Sequence, residues 1–188
     1  NVSLGGELGA AMDVSKNVID RARRDIGLLA VGLTETFNTQ HKAGDTLNQV
    51  VGAEFFTSIT PVATASPLNS GTTTISAVID DATQMTGDSY QIDYTDSVVT
   101  ITNLSTNVTQ EINGTTVSID GLTFTVSPFS NLTDGDRFLV EPTGRAASSM
   151  AVAITDTSDI AAANSGGNVG DNRNILSLIA LRDANNLK

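Results

Sequence analysis

The sequence predicts an α+β chain of several domains. Both ends build an elongated helical stalk, and a small antiparallel all-β domain is inserted between them. Two observations predict this. The apolar period changes from 3.6 residues to 2 near residue 60, and the composition turns Ala-rich again past 142. In addition, Lys and Arg are absent between Ala43 and Asp136, a stretch that holds eleven of the 21 acids. The ten bases elsewhere balance the ten remaining acids, so the net charge of -11 sits in the middle of the chain. The predicted boundaries are 1–62 for the first part of the stalk, 63–142 for the β insertion and 143–188 for the return segment. An insertion of this kind is tolerated where two chain ends lie close together.

The first element is one amphipathic helix over Asp13–Asn38. Val18, Ile19, Ala22, Ile26, Leu29, Ala30, Leu33 and Phe37 recur at steps of three and four, which stacks them on one face. Lys16, Asp20, Arg21, Arg23, Arg24 and Glu35 take the other face. Asp13 is placed to cap the first turn and Gly44 to stop the helix, whose length at the helical rise is roughly 39 Å. Beyond the pair Phe55-Phe56, alternation marks strands over Thr72–Ile79, Tyr90–Tyr94, Val98–Thr102, Thr116–Ile119, Leu122–Val126 and Phe138–Val140. Asn113-Gly114 and Asp120-Gly121 are hairpin dipeptides between such runs, and Asp134-Gly135 precedes the last. Pro61, Pro67, Pro128 and Pro142 fall between or at the edges of these elements, where a missing amide donor does little harm. Downstream, the pattern gives a short strand at Met150–Ile154 and a capped short helix at Asp156–Ala163. A last helix follows, capped by Asn172, with Ile175, Leu178, Ile179 and Leu181 as its apolar side.

Aromatic residues supply 4% of the chain and Trp is absent, so the core must rest on Val, Ile, Leu and Ala. With no cation in its acidic middle, the chain is unsuited to nucleic acid or anionic membranes. Its longest apolar run, Ile26–Leu33, is too short to span a bilayer. Zero cysteines exclude disulfides and thiolate metal sites. His41, the single histidine, lies at a helix end beside Lys42, where a structural or surface role fits better than catalysis. Asp80-Asp81 suits the cap of a short turn, and Asp134-x-Asp136 flanks a Gly turn. Neither has the spacing of a calcium loop. Gly166–Gly170 lacks the Lys-Ser/Thr of a phosphate loop. Asn-x-Ser/Thr triplets at Asn103, Asn107, Asn113 and Asn131 are expected by chance in so polar a segment. No enzyme, cofactor or metal is therefore expected. The β domain taken alone would also suit a surface adhesin or glycan-binding module. Asn1 is not a natural start and no export signal follows it, so the chain reads as a fragment of a longer protein.

Several stretches carry a family resemblance. Gly5-Gly6-Glu7-Leu8-Gly9 leads into the long helix, and Phe37-Asn38-Thr39-Gln40-His41-Lys42-Ala43-Gly44 closes it. Gly52-Ala53-Glu54-Phe55-Phe56 comes next, and Gly170-Asp171-Asn172-Arg173-Asn174 lies far downstream before the Leu-rich helix. In order and separation these resemble the flagellar hook-associated protein 1 (FlgK) family, as its central part without the terminal coiled-coil segments. Val14-Ser15-Lys16 departs from the pattern, where relatives often carry an Arg soon after the Asp.

The resemblance implies a structural adaptor at the hook-filament junction of the bacterial flagellum, secreted through the type III export channel and extracellular. It implies contacts with the hook protein, with the second junction protein and with itself in a ring. It also implies an export chaperone acting on a C-terminal segment missing here. Subunits would pack by helices along the tube axis, with the acidic β domain facing solvent. The residues expected to carry this packing are Ile26, Leu29, Leu33, Phe37, Phe55, Phe56, Asn172 and Arg173.

Overall fold

The structure, a computed structural model, describes residues 6–183, leaving aside the side chains of 13, 16 and 17. Gly5, Lys188 and the side chains of Asp13 and Lys16 thus lie outside the described residues. The fold is α+β with antiparallel sheets, and it divides into two compact units. One gathers the chain up to Leu28 with Thr60–Ala147; the other gathers Leu29–Ile59 with the chain from Ser148 onward.

Helix formation begins earlier than the apolar pattern suggests. Helix α1 (Gly6–Val14) is followed by a π-helical turn at Ser15–Ile19 and by α2 (Asp20–Lys42). Asp13 therefore lies inside α1 rather than at a cap, because Glu7, Leu8, Ala10 and Ala11 are good helix formers that extend the helix toward the N-terminus. At the other end α2 continues past Asn38 to Lys42. His41 and Lys42 in its last turn face the negative pole of the helix dipole.

The first unit carries two antiparallel sheets. The larger joins β2 (Val62–Ala65), β9 (Arg137–Glu141), β4 (Tyr90–Thr95), β5 (Val98–Asn103) and β6 (Thr109–Glu111) in that order. The smaller joins β3 (Thr74–Ile79), β8 (Leu122–Ser127) and β7 (Thr116–Ile119). The strands expected between residues 72 and 140 are all present, whereas β2 and β6 were not legible. The four residues of β2 show no alternation in burial, and all three of β6 are exposed. Period-2 alternation supplies the core: Tyr90, Ile92, Val99, Ile101, Phe138 and Val140 from one sheet, and Ile75, Ala77, Leu122, Phe124 and Val126 from the other. The Val, Leu, Ile and Phe side chains among these each contribute about 1.5–3 kcal/mol on full burial. The rings of Tyr90 and Phe124 meet edge to face at 5.1 Å.

Turn chemistry sets the registers. Asp120 and Gly121, with φ of 50° and 74°, form the two-residue loop between Ile119 and Leu122. Asp96 and Ser97 make the same kind of turn between Thr95 and Val98. Asn113-Gly114, by contrast, closes no hairpin: it carries the chain from β6 in one sheet to β7 in the other. Asp81 caps the turn at Ala82–Gln84 by accepting the Thr83 N–H. The α2 backbone also approaches this unit closely, since a Cβ on Gly27 would fall 1.9 Å from the Thr143 carbonyl oxygen.

Asp136 is the polar keystone here. Its side chain is buried, with Oδ1 accepting the N–H groups of Ser70 and Gly71 and Oδ2 that of Thr133. Burial alone would raise its pKa, but the three backbone donors outweigh it and the net shift is downward. Because the folded-state pKa is depressed, this carboxylate stabilises the fold above the ordinary carboxylate range. That stabilisation is lost as pH falls through the depressed value. Asp136→Asn sets an amide donor against one of those N–H groups. It is expected to cost about 2–3 kcal/mol at neutral pH and to flatten the acid limb of stability. Urea unfolding followed across pH checks both.

Candidate functional site

In the second unit, segments distant in sequence close around the last turns of α2. Phe-Asn-x-x-His places Asn38 and His41 nearly one turn apart on one side of the helix, and both are buried. Asn38 Oδ1 accepts the N–H groups of Phe55 and Phe56, and its Nδ2 donates to the Phe56 carbonyl at 2.9 Å. Asn38 therefore fixes the backbone of the aromatic pair. Phe37, Phe55 and Phe56 form a ring cluster with centroids 4.8–5.3 Å apart, and His41 lies edge-on to Phe55 at 5.4 Å.

His41 bridges two segments. Its Nδ1 lies 2.7 Å from the Ala53 carbonyl, and its Nε2 accepts the Ala161 N–H at 3.0 Å. A carbonyl only accepts and an amide only donates, so the two partners select the neutral tautomer with the proton on Nδ1. Gln40 then reaches Asn174 Oδ1 at 2.6 Å, and Asn174 Nδ2 donates to the Ala161 carbonyl at 2.7 Å. Two short strands, β1 (Gly44–Asp45) and β10 (Ala163–Asn164), pair alongside. The approach leaves no room for a Cβ at two positions. On Gly44 it would lie 2.1 Å from Asn174 Nδ2, and on Gly52 2.4 Å from the His41 carbonyl oxygen.

The return segment is less regular than its composition suggests. Met150–Ile154 supplies one bridge, Val152 opposite Phe56, instead of a strand. Asp156–Ala163 forms a single 3-10 turn at Thr157–Asp159, capped by Asp156 through the Ser158 N–H, because the chain then extends into β10. A further short helix, α3 (Ala146–Ser149), precedes both. In α4 (Arg173–Ala180), Asn172 occupies the cap position without a side-chain cap bond. Asp171 does that work by accepting the Arg173 N–H at 3.0 Å. The Arg173 guanidinium grips the same carboxylate through Nε and Nη2 and holds its pKa well below the usual range.

The structure thus brings together Phe37, Phe55 and Phe56 and leaves Ile26, Leu29 and Leu33 exposed, with Asn172 and Arg173 at the start of α4. The face that α2 buries carries Val31, Thr34, Asn38 and His41, with Ala30 the one aliphatic residue of the expected stripe that is buried too. Hydrophobic pattern does not flag it, since three of the four are polar. The signal for Asn38, His41, Gly44, Gly52 and Asn174 was their place in the recurring motifs. A groove of about 440 Å³ lies beside this cluster, and its only ionisable lining groups are Asp45 and Asp171. Both already accept backbone N–H groups, from Gly166 and from Arg173 respectively. Among the described residues, no group of three or more His, Asp or Glu could hold a metal ion, and no helix is long and apolar enough to cross a membrane.

This α+β scaffold, in which short motifs stitch backbone together, finds its relatives among the flagellar hook-associated proteins. A family model described as the flagellar hook-associated protein FlgK helical domain matches residues 1–56, and one described as flagellar hook-associated protein 1, D2-like domain, matches residues 64–142. Flagellar hook-associated protein 1 of Escherichia coli is 35% identical over 184 residues, covering 94% of this chain and 33% of that protein. Its counterpart in Salmonella typhimurium is 30% identical over 192 residues, covering 96% and 34%. The structure of the flagellar hook junction protein FlgK from Burkholderia pseudomallei superposes with a TM-score of 0.74 at 31% identity, covering 85% of this chain and 30% of that one. The chain belongs to the flagellar hook-associated protein 1 (FlgK) family and spans about a third of the length of these relatives.

His41→Phe keeps the ring contact with Phe55 but orphans the Ala53 carbonyl and the Ala161 N–H. It is expected to destabilise the protein by about 2–4 kcal/mol, read by denaturant unfolding. Amide hydrogen exchange at Ala161 should accelerate in the same variant.

Proposed function

We propose that the chain is the central part of a structural adaptor at the hook-filament junction of the bacterial flagellum. The subunit is exported through the flagellar type III channel with the help of an export chaperone, and stands outside the cell. It contacts the hook protein on one side, the second junction protein on the other, and copies of itself around a ring. Both chain ends, 1–62 and 143–188, contribute to a helical stalk running along the tube axis, and the β insertion at 63–142 faces solvent. The part is mechanical, with no reaction catalysed.

Family membership supports the location, and one observation carries the mechanism. Helix α2 has two different faces. Val31, Thr34, Asn38 and His41 are consumed by the subunit's own interior, whereas Ile26, Leu29 and Leu33 are 57%, 50% and 44% exposed. Their 3-4 spacing continues back through Ala22 to Ile19, the spacing of a seam that packs against another helix. Leu8, Met12 and Ile19 are exposed as well. An apolar stripe of this kind marks a surface made for packing. Head-to-tail contacts around a tube need such a surface in addition to the one the fold uses.

Combined replacement of Ile26, Leu29 and Leu33 by Glu in the full-length protein tests this. The expected result is that a strain lacking the corresponding gene forms hooks without attached filaments when supplied with the variant. The unfolding free energy of the purified chain should change by no more than about 0.5 kcal/mol. Restored swimming would refute axial packing through this stripe. The cysteine-free sequence offers a clean test of orientation, because Thr109→Cys introduces a single thiol on the exposed strand β6. Maleimide labelling of intact flagella at that position is expected, and protection there would overturn the outward placement of the β domain.

A further inference from the structure

Three dipeptides in the first unit pair an Asn or Asp with a following Gly, and the fold treats them differently. Asp120-Gly121 is locked in its hairpin, where the Asp120 carboxylate accepts the Tyr90 hydroxyl at 2.6 Å. In Asp134-Gly135 the Gly135 N–H donates to the Tyr94 carbonyl at 2.9 Å, and Asp134 accepts the Asp96 N–H. Asn113-Gly114 has neither restraint. Asn113 is exposed and, among the described residues, makes no side-chain hydrogen bond, and the Gly114 N–H has no backbone acceptor among them. A Cβ built on Gly114 would meet nothing within 4 Å, so no other segment crowds the dipeptide on that side. This is also the one Asn-Gly pair in the sequence.

We propose that Asn113 is a site of spontaneous deamidation in the folded protein. The Gly114 backbone nitrogen, having lost its proton to solvent base, attacks Asn113 Cγ. The new N–Cγ bond closes a five-membered succinimide, and the Cγ–Nδ2 bond breaks. The amide nitrogen leaves as ammonia after taking up a proton. Water then opens the ring at one of its two carbonyls, giving either aspartate or isoaspartate. No electrons are transferred. The missing Cβ of glycine matters twice, because it unblocks the nucleophile and lets the backbone reach the attacking conformation.

The surroundings supply a control and a consequence. Asn69-Ser70 also has a small residue following, but Asn69 donates to the Arg137 carbonyl and accepts the Arg137 N–H, while the Ser70 N–H is taken by Asp136. Its amide carbon and its nucleophile are both held. Asn113 instead sits in the connection between the sheets, pinned on one side by Ile112 N–H to the Val99 carbonyl and on the other by Val126 N–H to the Thr115 carbonyl. Isoaspartate would add a backbone carbon to this short span, and either product adds a negative charge to a stretch that has no Lys or Arg.

Incubating the folded protein in mildly alkaline buffer, followed by peptide mapping and enzymatic methyl transfer to isoaspartate, tests the proposal. Conversion at Asn113 should run at least roughly tenfold faster than at Asn69, and Gly114→Ala should slow it to a comparable degree. In denaturant the two asparagines should draw closer in rate, because the hydrogen bonds protecting Asn69 are gone. If Asn113 persists in the folded protein as long as Asn69 does, or converts only after unfolding, the proposal is wrong.

Discussion

The arrangement of the second unit depends on one imidazole in one protonation pattern. His41 can hold the Ala53 carbonyl and the Ala161 N–H together only as the neutral Nδ1–H tautomer, and those two groups lie on segments separated by the whole of the β insertion. Neither bond is strong alone, each contributing about 1 kcal/mol net. The consequence of losing the Ala161 bond is larger, because that N–H is shut away from water. Asn38 repeats this logic one turn earlier, and Asn174 repeats it from the opposite segment. The close approach at Gly44 and Gly52 is what lets short polar side chains reach backbone groups directly.

The two units reach stability by different means. The sheet unit is held by alternating aliphatic residues around Tyr90 and Phe124, with buried polar groups such as Asp136 and Asn103 at turns and strand ends. The other unit buries the hydrogen-bonded side chains of Asn38, His41 and Asn174 beside a small aromatic cluster. Apolar packing tolerates sliding and repacking, whereas a network of directed hydrogen bonds is satisfied in one register. A segment of loops, one 3-10 turn and two-residue strands has little regular structure to fix its path. Side-chain bonds to its backbone take over that task.

Much of the sheet unit was legible in the sequence because alternation and turn dipeptides are local signals. Ile119-Asp120-Gly121-Leu122 announces its hairpin, and the structure forms it. Asn113-Gly114 carries the same local signal, yet its flanking strands belong to different sheets, so the dipeptide becomes a crossing between them. Strand β6 and the pair β1–β10 give no pattern, since each is only two or three residues long and defined by its partner. The helix was found with its ends misplaced, because propensity outside the apolar stripe extended it in both directions.

The sequence by itself determined the α+β class, the strands of the sheet unit, the concentration of acid in the middle of the chain and, through its motifs, the family. These are properties of local period, composition and short residue strings. Which face of α2 turns inward was decided by tertiary structure alone. Hydrophobicity marks Ile26, Leu29 and Leu33, but a helix buries whichever side its neighbours can satisfy, and the backbone of residues 53–56 and 161 offers donors and acceptors that only Asn38 and His41 can meet. A polar side chain becomes interior when distant segments complete its hydrogen bonds, and no local pattern records where those segments will lie.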